Sequence, residues 1–179
     1  MKVCLNIDGE KIPLGCHTLD YVINSMLDAP GNGKLFNRLA LHPSLNVRIG
    51  IASKKNIDKQ TFETLFSSGE SHIISCLIGN HIGCCNLRGE HEITHITMQH
   101  YQRLCSSKDS FILSTISNMM TEYWFNSKLY ADIRKLIDHP NPDVRYALAD
   151  NYACPPKLLK LLTQDPDPDV RFRALYALE

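Results

Sequence analysis

The chain has 179 residues, of which 44% are apolar, and its 19 basic and 19 acidic residues give a formal net charge of zero. This length and apolar content suffice for one domain with its own core. The neutral charge excludes a strong overall field that would attract nucleic acid or anionic lipid. No signal peptide and no apolar run of the roughly 20 residues that span a bilayer are recognised. Seven cysteines without disulfide-like spacing predict reduced thiols in a cytoplasmic protein.

Residues 1–44 are predicted to form an N-terminal cap. Apolar residues alternate over 3–7, Asp8-Gly9 is a turn pair, and 11–14 can return as a second strand, so a small β-hairpin is expected. Such a cap would cover the apolar end of the first repeat that follows it. The helices predicted within the cap cover 18–27 and 34–41.

Residues 45–179 are predicted to be a helical-repeat solenoid. The sequence Asp-Val-Arg-Tyr-Ala-Leu at 143–148 returns as Asp-Val-Arg-Phe-Arg-Ala-Leu at 169–175. A fixed period of this size indicates units that bury their apolar faces against their neighbours. The best-formed unit has a first helix over 143–150 and a second that opens at 154–156 with two prolines, which a first helical turn tolerates. The other repeat helices predicted by the same pattern cover 46–52, 57–66, 71–77, 96–105, 110–116 and 128–138, with Asp58 and Thr97 as N-caps.

An insertion near 80–95 lengthens one unit and contains a cluster of histidines and cysteines. Insertions in solenoids often lie on the binding face. Nitrogen and sulfur ligands in this number can hold zinc in a tetrahedral site. The alternative is a polar loop whose cysteines pack as small apolar residues. The candidate metal ligands are His81, Cys84, Cys85, His91 and His95.

Residues 91–95 also match H-E-x-x-H, the helical motif in which two histidines bind zinc and the glutamate acts as a general base. The motif falls in the insertion, before the helix that Thr97 is predicted to cap, and not within a long helix. Gly89 and Thr94 are poor helix formers. A chance match is therefore the preferred interpretation, and no catalytic residue is assigned.

Arg48, Arg145 and Arg171 occupy one position in three repeats. They can form a ladder that binds phosphates or acidic peptides. They can instead pair with Asp138, Asp165 or loop carbonyls of adjacent units and lock the stacking of those units. Repetition in register with the core favours the structural role.

Two further groups each allow a binding role or a structural role. The C-terminal loops are rich in aspartate, which can bind calcium or a basic partner, or can cap helix N-termini. The aromatic run Tyr123-Trp124-Phe125 can be a binding hot spot or can pack against the neighbouring unit. The aspartates are Asp138, Asp143, Asp165, Asp167 and Asp169.

The stretches 144–151, 155–162 and 165–171 together resemble the leucine-rich repeat variant and, more widely, the HEAT-like repeats. The resemblance is closest over 138–179 and extends to 42–78. It implies an all-α fold, a right-handed superhelix of paired helices. These families share no catalytic residues, so the resemblance assigns none.

The sequence therefore predicts a non-catalytic module that binds another protein on its concave face or through the insertion. A nucleic-acid-binding or DNA-repair role and a metal-binding or metal-dependent role are the alternatives, and the neutral charge counts against nucleic acid. No cofactor is expected, apart from zinc under the metal alternative. No membrane association is expected, and a monomer is expected, with the last helix acting as a cap whose outer face includes Arg173, Tyr176 and Glu179.

Overall fold

The structure is a computed structural model that describes residues 3–7, 10–81, 95, 97–126 and 128–179. Helices dominate these residues, and the strands among them form one short hairpin. The prediction of an all-α helical fold is confirmed. The handedness of a superhelix stays a prediction.

The chain divides into two compact units, Met1–His81 and Ile82–Glu179. The predicted boundary between cap and solenoid, at residue 44, falls inside the first unit and stays a prediction. No helix among the described residues is long and apolar enough to cross a bilayer.

The predicted hairpin is present at the start of the first unit. Strand β1 (Cys4–Ile7) pairs antiparallel with β2 (Glu10–Pro13), with Leu5 opposite Ile12. The N–H of Leu14 extends the ladder by donating to the carbonyl of Val3 at 2.9 Å.

The helices of the first unit form two layers. Helix α1 packs on α3 and α3 packs on α5, while α2 packs on α4. Alternate helices thus stack on one another, as expected of a repeat whose units bury their apolar faces on their neighbours. The helices are α1 (Cys16–Ser25), α2 (Gly33–Leu39), α3 (Leu45–Ala52), α4 (Lys59–Ser67) and α5 (Ser71–His81), with a 3₁₀ turn at Pro30–Asn32.

Local sequence explains how these helices begin and approach each other. Asp58 accepts a hydrogen bond from the N–H of Thr61 at 2.7 Å, so the predicted N-cap of α4 is confirmed. Gly50 lies where α3 meets α1, and a Cβ atom there would lie 2.7 Å from Cγ2 of Ile23. Gly69, just beyond the end of α4, has φ +71°, a left-handed conformation that glycine adopts without strain.

The second unit repeats this arrangement. Helix α7 packs on α10 and α10 packs on α12, so the first helix of each repeat stacks on the next. We call α7, α10 and α12 the first-helix layer of this unit. The predicted helix over 128–138 is split into α9 and a 3₁₀ turn, and α8 was not predicted as a separate helix. The helices are α6 (Met98–Cys105), α7 (Ser110–Met119), α8 (Glu122–Phe125), α9 (Tyr130–Arg134), α10 (Pro142–Asp150), α11 (Pro156–Leu162) and α12 (Pro168–Tyr176), with the 3₁₀ turn at Lys135–Asp138.

Helices α10 and α12 begin in the same way because their loops have the same residue types. Each has proline in its first turn, where the missing N–H needs no partner. The side chain of Asn141 accepts from the N–H of Asp143, and that of Asp167 accepts from those of Asp169 and Val170. Because the two helices begin in the same way, residues at equivalent repeat positions lie at equivalent places in the first-helix layer.

Candidate functional site

Arg145 joins the loop before its own helix to the loop of the next repeat. Its Nη1 donates to the carbonyl oxygens of His139 (2.5 Å) and Pro140 (3.2 Å). Its Nε and Nη2 donate to the two carboxylate oxygens of Asp165, at 2.7 and 2.9 Å. Both side chains are buried. A bidentate pair of this kind fixes geometry as well as charge.

Arg48 and Arg171 repeat this geometry in part. In each, Nη1 donates to the carbonyl oxygens six and five residues earlier, at 2.6 and 3.1 Å for Arg48 and at 2.6 and 2.9 Å for Arg171. Nη2 of Arg48 donates to Oε1 of Glu70 at 2.5 Å. The carbonyls that were expected to come from adjacent units thus belong to the arginine's own loop, and Asp138 pairs with Arg134 at 3.9 Å.

The residue that begins each loop has a role that the sequence reasoning missed. The side chains of His42, His139 and Asp165 each accept the backbone N–H two residues later, at 3.1, 3.1 and 2.9 Å. In all three copies this residue is followed by proline and lies six positions before the arginine. This spacing is visible in the sequence, and it is the signal from which the hydrogen bond to the loop backbone could have been predicted.

Asp165 is held in its charged form by this network. Burial alone would raise the pKa of Asp165, but the hydrogen bonds from Arg145 and from the N–H of Asp167 outweigh it and lower the pKa below its ordinary value of 3.8. The same pair raises the pKa of Arg145. The two groups therefore stabilise each other's charge.

A second set of hydrogen bonds holds the opposite ends of the stacked helices. Nδ2 of Asn151, which is buried, donates to the carbonyls of Ser117 (2.7 Å) and Met120 (2.8 Å) at the end of α7. In the first unit, Nζ of Lys54 donates to the carbonyl of Met26 at 2.9 Å, just beyond the end of α1. Carbonyls at a helix end have no partner within the helix, so these contacts satisfy groups that stacking would otherwise bury unpaired.

The candidate metal ligands lie largely outside the described residues. Cys84, Cys85 and His91 fall there, as does most of the H-E-x-x-H match. His81 is buried at the end of α5, with its ring edge-on to that of Phe62 at 5.6 Å. Within the described ranges, no group of three or more potential ligands lies together. The zinc alternative stays a prediction.

The side chains of the aromatic run Tyr123-Trp124-Phe125 are described for two of its three residues. Trp124 and Phe125 are buried, and the ring centroids of Trp124 and Tyr101 lie 3.8 Å apart. For these two side chains burial fits the packing alternative better than an exposed hot spot. The side chain of Tyr123 lies outside the described part of the structure.

A cavity of about 610 Å³ lies at the turn after α10. Two of its charged groups, Asp150 and Arg173, are engaged with each other. Asp150 accepts from Nε of Arg173 at 2.5 Å and from Nδ2 of Asn118 at 3.0 Å, and Arg173 lies over the ring of Tyr176. Arg173 was expected on the outer face of a cap, and that expectation is wrong because the side chain turns back to Asp150.

A second cavity, about 400 Å³, lies on the outer surface of α10 and α12. Tyr146 and Phe172, at equivalent positions of the two helices, line it, and they are 41% and 72% exposed. Aromatic side chains with this exposure are not fully buried in the core. Much of each ring is therefore available for contacts at the surface. We call this cavity the outer groove; its lining is Pro142, Asp143, Tyr146, Asp167, Asp169, Val170 and Phe172.

Comparison with known protein families finds a match to the C-terminal part of the chain. The HEAT repeat family matches residues 156–179, which contain α11 and α12. This match supports the HEAT-like expectation and gives no support to the leucine-rich repeat variant. Searches of curated proteins and of solved structures find no match to the chain. Residues 156–179 are thus similar to a HEAT repeat, and the helical fold of the described residues is consistent with a helical-repeat protein.

Proposed function

We propose that the chain is a non-catalytic, protein-binding repeat module, and that the outer groove is its binding site. The observation that supports this is the pair Tyr146 and Phe172, two exposed aromatic rings at one repeat position and in one groove. Burying such a side chain is worth roughly 1.5–3 kcal/mol. Exposed aromatic residues are the usual anchors of protein interfaces, since they combine a large apolar area with few rotamers to fix.

The position of the rings in the repeat separates them from the core. Val144 and Val170, two residues earlier on each helix, are fully buried, and the intervening Arg145 and Arg171 turn toward their loops. The valines and arginines thus make stacking contacts that do not involve the exposed parts of the aromatic rings. A partner can cover the rings without displacing any of these contacts.

The groove favours a polypeptide over nucleic acid. Three of its lining residues are aspartates, and carboxylates repel phosphate groups. The nucleic-acid alternative receives no support from this surface. A volume of about 400 Å³ suits one or two side chains of a partner segment.

The cysteines support the proposed cytoplasmic location. Cys105 and Cys154 are free thiols. Burial raises the pKa of Cys154 to about 12, and burial together with Asp132 raises that of Cys105 to about 11. Protonated thiols react slowly with oxidants, so both cysteines can remain reduced, as the proposed cytoplasmic location requires.

The experiment that tests this function is site-specific photo-crosslinking in cells that express the protein. Benzoylphenylalanine is placed at position 172, at position 146, and at Leu161 of α11 as the control. Leu161 is a matched control because it is also an exposed apolar residue, 47% exposed, and lies outside the groove. We expect one adduct of the same mass from positions 146 and 172 and none from 161. Equal adducts at all three positions, or none at 146 and 172, would contradict the proposal.

A further inference from the structure

The outer groove combines two aromatic rings with three carboxylates, and its lining contains no lysine or arginine. Asp143 and Asp169 lie in the first turns of α10 and α12 and are exposed. Asp167 is held in place because its Oδ1 accepts the N–H groups of Asp169 and Val170, at 3.0 and 3.2 Å. One of the three carboxylates is thus fixed in the groove, and the other two are exposed at its edge.

The arginines next to Tyr146 and Phe172 in the sequence are directed to other partners. Arg145 is buried and pairs with Asp165, and Nη1 of Arg171 donates to the carbonyls of its own loop. Within the described residues, no ion pair involves Asp143 or Asp169. The carboxylates of Asp143 and Asp169 are therefore available to a cation from outside.

The N-terminal ends of α10 and α12 offset part of this charge. Each end is equivalent to about half a positive charge, so two ends offset roughly one of the three carboxylates. The lining keeps a net negative charge beside two aromatic faces. A guanidinium group matches both features, because it stacks on aromatic rings and donates to carboxylates in a planar fork.

We propose that the outer groove binds a basic segment of the partner protein, with an arginine stacked on Tyr146 or Phe172 and bonded to Asp143 or Asp169. This inference rests on the proposed function and names the chemistry of its partner. The groove would select an unstructured or extended basic segment by its arginines and would reject an acidic one.

The test is fluorescence anisotropy with the full chain and three labelled nonapeptides, (Gly-Ser-Xaa)₃, in which Xaa is arginine, citrulline or glutamate. Citrulline keeps the shape of arginine but removes its charge. We expect the arginine peptide to bind and the citrulline peptide to bind about tenfold more weakly, with no binding of the glutamate peptide. Binding of the arginine peptide should also weaken as salt is raised.

Variants assign the binding to the groove. We expect D143N/D169N and F172S each to weaken the binding of the arginine peptide by about tenfold. D138N is the matched control, because Asp138 is an exposed carboxylate outside the groove, and it should change affinity by less than about twofold. Circular dichroism and urea unfolding of each variant verify that the fold is intact.

Three results would overturn the inference: no binding of the arginine peptide, equal binding of the citrulline peptide, or unchanged binding in D143N/D169N. The proposed function is judged separately. A shared photo-adduct at positions 146 and 172 that the arginine peptide does not compete away would leave the protein-binding role standing and refute the basic partner.

Discussion

Replacing Arg145 with alanine removes four hydrogen bonds and one buried charge at once. The carboxylate of Asp165 would keep the N–H of Asp167 as a donor but would lose both bonds from the guanidinium. Breaking a buried ion pair by deleting one partner costs about 3–5 kcal/mol. Two loop carbonyls also lose their donor, although water can reach the exposed Pro140. We therefore expect a loss of about 3–4 kcal/mol in the free energy of unfolding.

Urea unfolding followed by far-ultraviolet circular dichroism measures this loss. With a slope of about 2 kcal/mol per molar urea, the midpoint should fall by about 1.5–2 M. R134A is the matched control, since Arg134 forms an exposed pair with Asp138 at 3.9 Å and should cost less than about 0.5 kcal/mol. D165N and the double variant R145A/D165N complete a cycle that isolates the coupling of the pair. An R145A protein that unfolds like the parent yet no longer binds its partner would refute the structural role.

Three further predictions concern the contacts that stack the repeats. N151A should cost about 2–4 kcal/mol in urea unfolding, because two carbonyls of the preceding repeat lose a buried donor, whereas Y152A, at 87% exposed, should stay within about 0.5 kcal/mol. G50A should cost about 1–3 kcal/mol, since its Cβ would meet Ile23 at 2.7 Å; an unchanged midpoint would mean that α1 and α3 separate freely. Because folding lowers the pKa of Asp165, its contribution is present above the ordinary value of 3.8 and is lost as pH falls through the lower folded value. The stability difference between the parent and D165N should thus be constant from about pH 7 to pH 5 and shrink below pH 4; a difference that grows on acidification would contradict the assignment.

The helices were predictable because the signals that start and stop them are local. Proline and a capping residue mark the start of α10 and α12, and Asp58 marks that of α4. The spacing of apolar residues then predicts how far each helix extends, because each short helix has one apolar stripe to bury. The split of 128–138 was not predictable, since a 3₁₀ turn and an α-helix have almost the same apolar spacing.

The site was harder to predict because it depends on which side of a helix faces a neighbour. Tyr146 and Phe172 were visible as equivalent residues of the repeat, but their sequence does not say that both lie beside Asp143 and Asp169 in one groove. The run 123–125 is an aromatic cluster in the sequence, yet Trp124 is buried. Local density of aromatic residues indicates burial or binding equally, and only packing distinguishes the two.

We propose that adjacent residues of α12 have separate roles: Arg171 stabilises the fold, and Phe172 binds the partner. The most direct test compares R171A with F172S, measuring urea unfolding and the yield of the adduct from benzoylphenylalanine at position 146. We predict that F172S unfolds like the parent but loses the adduct, and that R171A unfolds at lower urea but keeps the adduct while folded. A destabilised F172S, or an R171A of parental stability that loses the adduct, would contradict the account.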